Sequence, residues 1–166
     1  MSEAGREQRL DRFLAAHRES GWPVTIQRRV VFEAIRDRRD HPTAEQVYRA
    51  VSRGLPQISR MTVRRILSGF VSLGLVARTC HPGSAARFDA KTCRHHHLVC
   101  LDCGAIIDVE DPRLDRIPWP RVDACEFTIQ DSRVEFLGRC ARCRQKARAH
   151  PRKPGARRAS ASSNSA

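Results

Sequence analysis

Apolar residues recur at helical spacing through the first half of the chain. Between Arg6 and Glu19 the set Leu10, Phe13 and Leu14 predicts a helix, and Gly21 to Pro23 breaks it. Thr25 is placed to cap a second helix with a buried stripe of Ile26, Val30, Ala34 and Ile35. Thr43, with Gln46 three residues on, reads as the capping box of a third helix in which Val47, Ala50 and Val51 face inward. Ser59 is placed to cap a fourth, where Val63, Ile66, Leu67, Phe70 and Leu73 form the apolar stripe and Gly74 ends the run. Leu75 to Thr79 and Ala86 to Asp89 read as strands around a turn at His81-Pro82-Gly83-Ser84. Helices followed by a hairpin in this order predict a winged helix-turn-helix. The final helix of such a unit enters the major groove of double-stranded DNA. Arg60 and Arg64, one turn apart on its polar face, are then the candidate base or phosphate contacts.

Residues 94 to 143 change character. Short runs at Leu98–Leu101, Ala105–Val109, Phe127–Ile129 and Val134–Leu137 are separated by Gly, Pro and charged turns, which predicts a second, α+β domain. The expected fold is therefore α+β: a winged-helix DNA-binding domain over residues 1–90, then a small α/β metal-binding dimerisation domain over 91–146. Residues 147–166 lose periodicity and read as a disordered basic tail.

Charge sharpens this division. Residues 1–80 carry 15 basic and 8 acidic side chains, residues 81–146 carry 11 and 10, and residues 147–166 carry 5 and none. A basic first half beside a nearly neutral second half fits a polyanion-binding domain followed by one with another task. No apolar run approaches the ~18 residues of a membrane span, and Met1 to Leu10 is polar, so a cytoplasmic protein with no membrane partner is expected.

Four of the seven cysteines form two C-x-x-C pairs, Cys100/Cys103 and Cys140/Cys143, each expected at the tip of a strand. One tight turn presents two thiolates, and two such turns complete the tetrahedron that Zn(II) accepts. A filled four-thiolate shell leaves no open position for chemistry, so the predicted role is a structural staple across 36 intervening residues. Cys80, Cys93 and Cys125 show no pairing pattern and are expected to be buried as small apolar groups, with Cys93 also a candidate reactive thiol.

A second donor cluster precedes the cysteines. In His95-His96-His97, residues two apart on a strand point to one face, so His95 and His97 can share an ion with Asp108 of the next strand, while His96 points away.

The chain resembles the ferric uptake regulator family, through His41-Pro42-Thr43-Ala44-Glu45-Gln46-Val47-Tyr48, Ile58-Ser59 with Thr62-Val63, Arg87-Phe88-Asp89, and His95 to Gly104. The resemblance runs from about residue 10 to 145 and includes both C-x-x-C pairs. It implies a homodimeric, metal-dependent repressor with a sensory Fe(II) or Mn(II) between its domains. The peroxide-sensing branch uses three histidines and two aspartates, which by motif fall on His41, Asp89, His95, His97 and Asp108. In that branch Fe(II) reduces peroxide and a ligand histidine, here His41 or His95, is oxidised, whereas Mn(II) represses without oxidation. Aspartate at both carboxylate positions favours peroxide sensing over iron-, manganese- or zinc-level sensing.

On the same resemblance, Ser59, Arg60, Thr62, Arg64 and Arg65 are candidate DNA contacts. Arg64 stands where the family usually has tyrosine, which favours guanine edges or phosphate over a thymine methyl. A further metal site of some relatives looks dismantled by Arg94, His96 and Ser132. Two other classes remain: a zinc-dependent hydrolase, which needs a substrate cleft and a general base, and a zinc-stapled DNA-binding module with no sensing. The expectation is of a regulator and not an enzyme.

Overall fold

A computed structural model describes residues 3–80, 84–122 and 127–149. The turn at residues 81–83, Cys125 and the tail from residue 150 lie outside the described residues.

Helix α1 (Glu3–Ser20) is followed by α2 (Ile26–Arg36), α3 (Ala44–Val51) and α4 (Arg60–Ser72). Their starts follow the sequence. The side chain of Thr25 accepts from the N–H of Arg28, Ser59 accepts from Thr62, and Thr43 and Gln46 make both bonds of a capping box. Gly74, at φ 64°, ends α4 in the left-handed conformation that glycine adopts without steric cost.

The helices bury Phe13, Val31, Phe32, Ile35, Val47, Val51, Val63, Leu67 and Phe70 in one core. Phe32 stacks on Phe13 at 4.4 Å between centroids, and Phe70 meets Phe13 edge-on at 5.8 Å. Each such ring contributes about 2 kcal/mol by burial. Three expected core positions differ. Ile26 is 76% exposed, Leu14 is 39% exposed and Ala50 faces solvent. Two apolar stripes are available on α2, and the one carrying Phe32 faces inward because that ring fills the space between Phe13 and Phe70. A polar residue also enters the core. His17 is buried, bonds Phe13 O through Nδ1 at 2.8 Å and stacks on Trp22.

Strands β1 (Ala77–Thr79) and β2 (Arg87–Asp89) form the expected antiparallel hairpin, pairing Ala77 with Asp89 and Thr79 with Arg87. β2 also docks on the segment leading into α3: Phe88 N–H bonds Pro42 O at 3.0 Å, and Thr43 bridges to Arg87.

The second sheet has the order β4-β3-β5, from β3 (His96–Cys100), β4 (Ile106–Val109) and β5 (Glu135–Gly138). β4 pairs antiparallel with β3, while β5 lies parallel on its other side. The expected strand at Phe127–Ile129 does not form, since no described strand runs alongside to supply its ladder, and Phe127 is exposed. Two short helices complete the half: α5 (Pro112–Asp115), capped by Asp111, and α6 (Ala141–Ala149). Helix α6 overlaps the start of the segment expected as a disordered tail, residues 147–149 being helical. It also places Cys143 on a helix, so the second C-x-x-C pair spans a strand-to-helix turn instead of a strand tip.

Candidate metal centres

Two separate donor clusters arise from this topology. Cys100, Cys103, Cys140 and Cys143 bring their sulfurs within 4.8 Å of one another. The first pair sits on the turn from β3 to β4, which Gly104 closes at φ 63° with its N–H on Cys100 O. Parallel pairing of β5 with β3 brings Gly138 opposite Cys100, which delivers the second pair to the same point. Cys103 Sγ and Cys140 Sγ are 3.8 Å apart. Sulfurs on a regular tetrahedron about Zn(II) stand about 3.8 Å apart, given a Zn–S bond of about 2.3 Å. Cys100 also accepts the Cys140 N–H at 3.3 Å. Burial opposes ionisation of Cys100, yet the N–H groups of Cys140, Cys103 and Asp102 pull it down to about 6, whereas sharing protons with Cys140 and Cys103 pushes Cys143 up to about 12. Four sulfurs this close cannot all ionise without a cation among them. The donor set fits Zn(II).

The second cluster gathers groups from three places. His41 precedes α3, Asp89 ends β2, and His95, His97 and Asp108 belong to the β3–β4 hairpin, where His97 and Asp108 are register partners. His41, Asp89, His95 and His97 are all buried, with donor atoms within 4.8 Å of one another. Asp108 joins from the sheet side, its Oδ1 lying 3.1, 3.7 and 4.0 Å from Nε2 of His41, His95 and His97. Asp89 Oδ2 lies 3.5, 2.9 and 4.0 Å from the same nitrogens.

Chemistry at this cluster is that of an ion's shell. His41 Nε2, Asp89 Oδ2 and Asp108 Oδ1 are buried and close to one another, the two oxygens at 3.5 and 3.1 Å from His41, yet none is aligned for a hydrogen bond. Buried orphan acceptors are costly unless a cation satisfies them. His95 Nδ1 bonds Cys93 O at 2.7 Å, which as an N–H donor leaves Nε2 free to ligate. Burial, with His41 and His95 beside it, pushes His97 down to about 4, so its lone pair is available at neutral pH. Burial works against charging His41, but Asp89 and Asp108 outweigh it and hold the imidazole above its ordinary range. Likewise burial opposes ionisation of Asp89, and His41 with the Lys91 N–H holds its carboxyl below the ordinary range. Three imidazoles and two carboxylates fit Fe(II), Mn(II) or Zn(II).

His41 itself is held at φ 47°, a conformation non-glycine residues seldom adopt. Arg87 does not pair with Asp89. Its Nη1 donates to His41 O at 3.0 Å and fixes that backbone.

His96 points away from this cluster, as expected, and is fully buried. Its Nδ1 accepts the Val134 N–H at 3.1 Å and its Nε2 lies 3.3 Å from Asp115. Arg94 reaches both Asp115, at 3.1 Å, and Ser132, at 2.9 Å, so a guanidinium lies among the residues at which a further metal site was expected to be lost.

On α4 the candidate DNA contacts divide. Ser59 caps the helix by accepting the Thr62 N–H and shares a hydroxyl hydrogen bond with Thr62, and Arg60 is tied to Glu45 at 3.0 Å and over Tyr48 at 4.4 Å. Arg64 and Arg65 are exposed. Cys80 and Cys93 are exposed, contrary to the expected burial. Sequence reasoning also missed Lys91, which contacts both aspartates of the cluster. The Asp89-Ala90-Lys91 spacing, suited to a side-chain-to-backbone turn, was its signal.

Residues 19–137 match the ferric uptake regulator family. The chain belongs to that family of metal-responsive regulators. It is 32% identical over 140 residues to the peroxide-responsive repressor PerR of Staphylococcus aureus (strain USA300), covering 84% of this chain and 95% of the relative. Among solved structures, a zinc-bound manganese uptake regulator is 29% identical with a TM-score of 0.59, covering 76% of this chain and 96% of that one. The Helicobacter pylori ferric uptake regulator is 21% identical with a TM-score of 0.68, over 83% and 93%, and shares the fold. No helix among the described residues is long and apolar enough to cross a membrane.

Proposed function

We propose that this family member is a metal-dependent, DNA-binding repressor that senses peroxide. In this reading Cys100, Cys103, Cys140 and Cys143 hold structural Zn(II), and His41, Asp89, His95, His97 and Asp108 hold regulatory Fe(II) or Mn(II). The observation that carries it is the convergence of His41, Asp89 and the His95/His97/Asp108 hairpin on one buried point. Residues 1–90 and 91–146 act as the two domains, and the five donors fix their relative orientation. Filling the cluster selects one arrangement of the basic helix α4 relative to the sheet.

DNA contact falls to Arg64 and Arg65, with Arg60, Ser59 and Thr62 holding the helix start. The homodimer is supported by a row of apolar side chains across the outer face of the sheet, Ile107, Leu98 and Phe136, which are register neighbours and are 50%, 41% and 45% exposed. A lone chain gains nothing from such a row, whereas a second copy would bury it. Val99, next to Leu98 on β3, is buried on the inner face.

Bound Fe(II) would activate peroxide by lending it an electron that is recovered from the ring, so that, net, one peroxide oxygen enters a C–H bond of the His41 or His95 imidazole, the two electrons come from that ring, and the other oxygen leaves as water. Oxidation of either ring weakens the set of donors that holds the two halves together, and DNA is released. The kinship with the 32%-identical peroxide-responsive repressor supports this branch. Metal-level sensing without oxidation is the second reading, favoured by the 29%-identical manganese uptake regulator.

The deciding experiment loads zinc-stapled protein with Fe(II) or Mn(II), adds stoichiometric peroxide, maps any one-oxygen mass gain by peptide mass spectrometry and follows DNA release. Gain on His41 or His95 in the iron form alone, with release, supports peroxide sensing. Release on metal removal alone, with no histidine oxidised, overturns that branch. Metal-independent DNA binding would leave only a zinc-stapled module.

A further inference from the structure

Each aspartate of the regulatory cluster turns one oxygen inward and one outward, and a single residue meets both outer oxygens. The backbone N–H of Lys91 donates to Asp89 Oδ1 at 2.7 Å. The Lys91 ammonium lies 3.6 Å from Asp108 Oδ2 and also reaches Glu110. The two inner oxygens, Asp89 Oδ2 and Asp108 Oδ1, are buried facing the histidines, at 2.9 Å from His95 Nε2 and 3.1 Å from His41 Nε2, without the alignment of a hydrogen bond. Lys91 is half-buried, at 18% side-chain exposure, with its ammonium between Asp108 and Glu110.

We propose that Lys91 is a positioning residue that restricts both aspartates to one-oxygen coordination of the regulatory ion, an inference that rests on the metal-site reading above. A carboxylate with both oxygens free can take an ion in a two-oxygen grip. Occupying the outer oxygen with a donor removes that option. Three imidazoles and two single oxygens make a five-donor shell, which leaves one position for a small ligand. If Asp108 gripped with both oxygens, that position would close. Lys91 and Asp108 also line a cleft of about 480 Å³, together with Arg9, Arg38 and Arg39 and the acids Asp37 and Glu110.

The test uses Co(II), whose visible absorption reports coordination number, on full-length protein with Zn(II) retained in the four-cysteine site. Lys91→Met removes the ammonium and keeps the backbone donor to Asp89. We expect its second-site Co(II) band to weaken several-fold, as five donors become six, and Lys91→Arg to keep the band of the unaltered protein. Lys91→Ala gives the same reading should Lys91→Met not fold. An unchanged band in both truncations, whatever happens to affinity, would overturn the role of Lys91, because a charge effect alone shifts affinity and leaves coordination number intact. Failure of the unaltered zinc protein to take up a second Co(II) would instead overturn the metal-site reading, and this inference with it.

Discussion

Arg87 Nη1 donates to the carbonyl oxygen of His41 at 3.0 Å, across 46 positions of sequence. The bond joins β2, which ends in Asp89, to the strained residue that precedes α3, so two donors from distant segments share one rigid mount. Arg87→Ala leaves all five donor side chains in place and removes only this support. Loss of such support costs about 10-fold or more in metal affinity. We expect the regulatory-site dissociation constant for Mn(II) to rise by at least that factor with the four-cysteine site unaffected, measured by isothermal titration. An unchanged constant would show that His41 is held without Arg87.

Zn(II) in the four-cysteine cluster is expected to stabilise a three-stranded sheet with only a modest core of its own, in which Val99, Cys100, Ile106 and Cys143 are buried. Cys103→Ser removes one ligand and most of the contribution of the ion. Taking this as about 3 kcal/mol, Tm should fall by roughly 10 °C. Stripping the ion from the unaltered protein with a chelator should give a similar fall in calorimetry. A shift of only a degree or two by either route would contradict a structural role.

Gly69 lies under the indole of Trp22, and a Cβ at this position would fall on the ring. Trp22 is itself held between His17, stacked at 5.5 Å, and the Arg28 guanidinium at 3.6 Å, so moving it breaks both contacts. Gly69→Ala should therefore destabilise by about 1–3 kcal/mol. In a Trp22→Ala background the same change should stabilise by up to about 1 kcal/mol, since alanine is the better helix residue. Chemical denaturation of the four proteins checks the reversal of sign, and the same sign in both backgrounds would refute it.

Arg64 is exposed on α4, while Arg60 is engaged by Glu45 and Tyr48. Arg64→Ala should weaken operator binding by about tenfold or more and relax sequence preference, as expected for a base contact. Fluorescence anisotropy on operator and random DNA measures both. Equal losses on the two DNAs would make Arg64 a phosphate contact, and no loss would remove it from the interface.

Much of this protein was legible in its sequence because the signals were local. Thr25, Thr43 and Ser59 cap helices through bonds to residues three positions away, and Gly74 needs only its own φ. The spacing of Cys100/Cys103 and Cys140/Cys143 predicted the four-sulfur cluster that forms, and period-two alternation puts His95 and His97 together with His96 opposite. His41 and Asp89 were assigned through the family resemblance, and their convergence with the hairpin is a fact of the tertiary structure.

What the sequence determined by itself was the identity of the elements and the kinds of donor atoms, since these depend on neighbours within a turn or a strand. Only the tertiary structure decided which stripe of α2 faces the core, because the choice between Ile26 and Phe32 depends on the shapes of Phe13 and Phe70. Only it placed β5 parallel to β3, left Phe127–Ile129 without a ladder, and turned Arg87 to His41 in preference to Asp89. The approach of the Lys91 ammonium to Asp108 belongs to the same class, since the two residues lie on segments that meet only when the chain has folded, whereas the Lys91 N–H on Asp89 Oδ1 is a local contact that the Asp89-Ala90-Lys91 spacing signals.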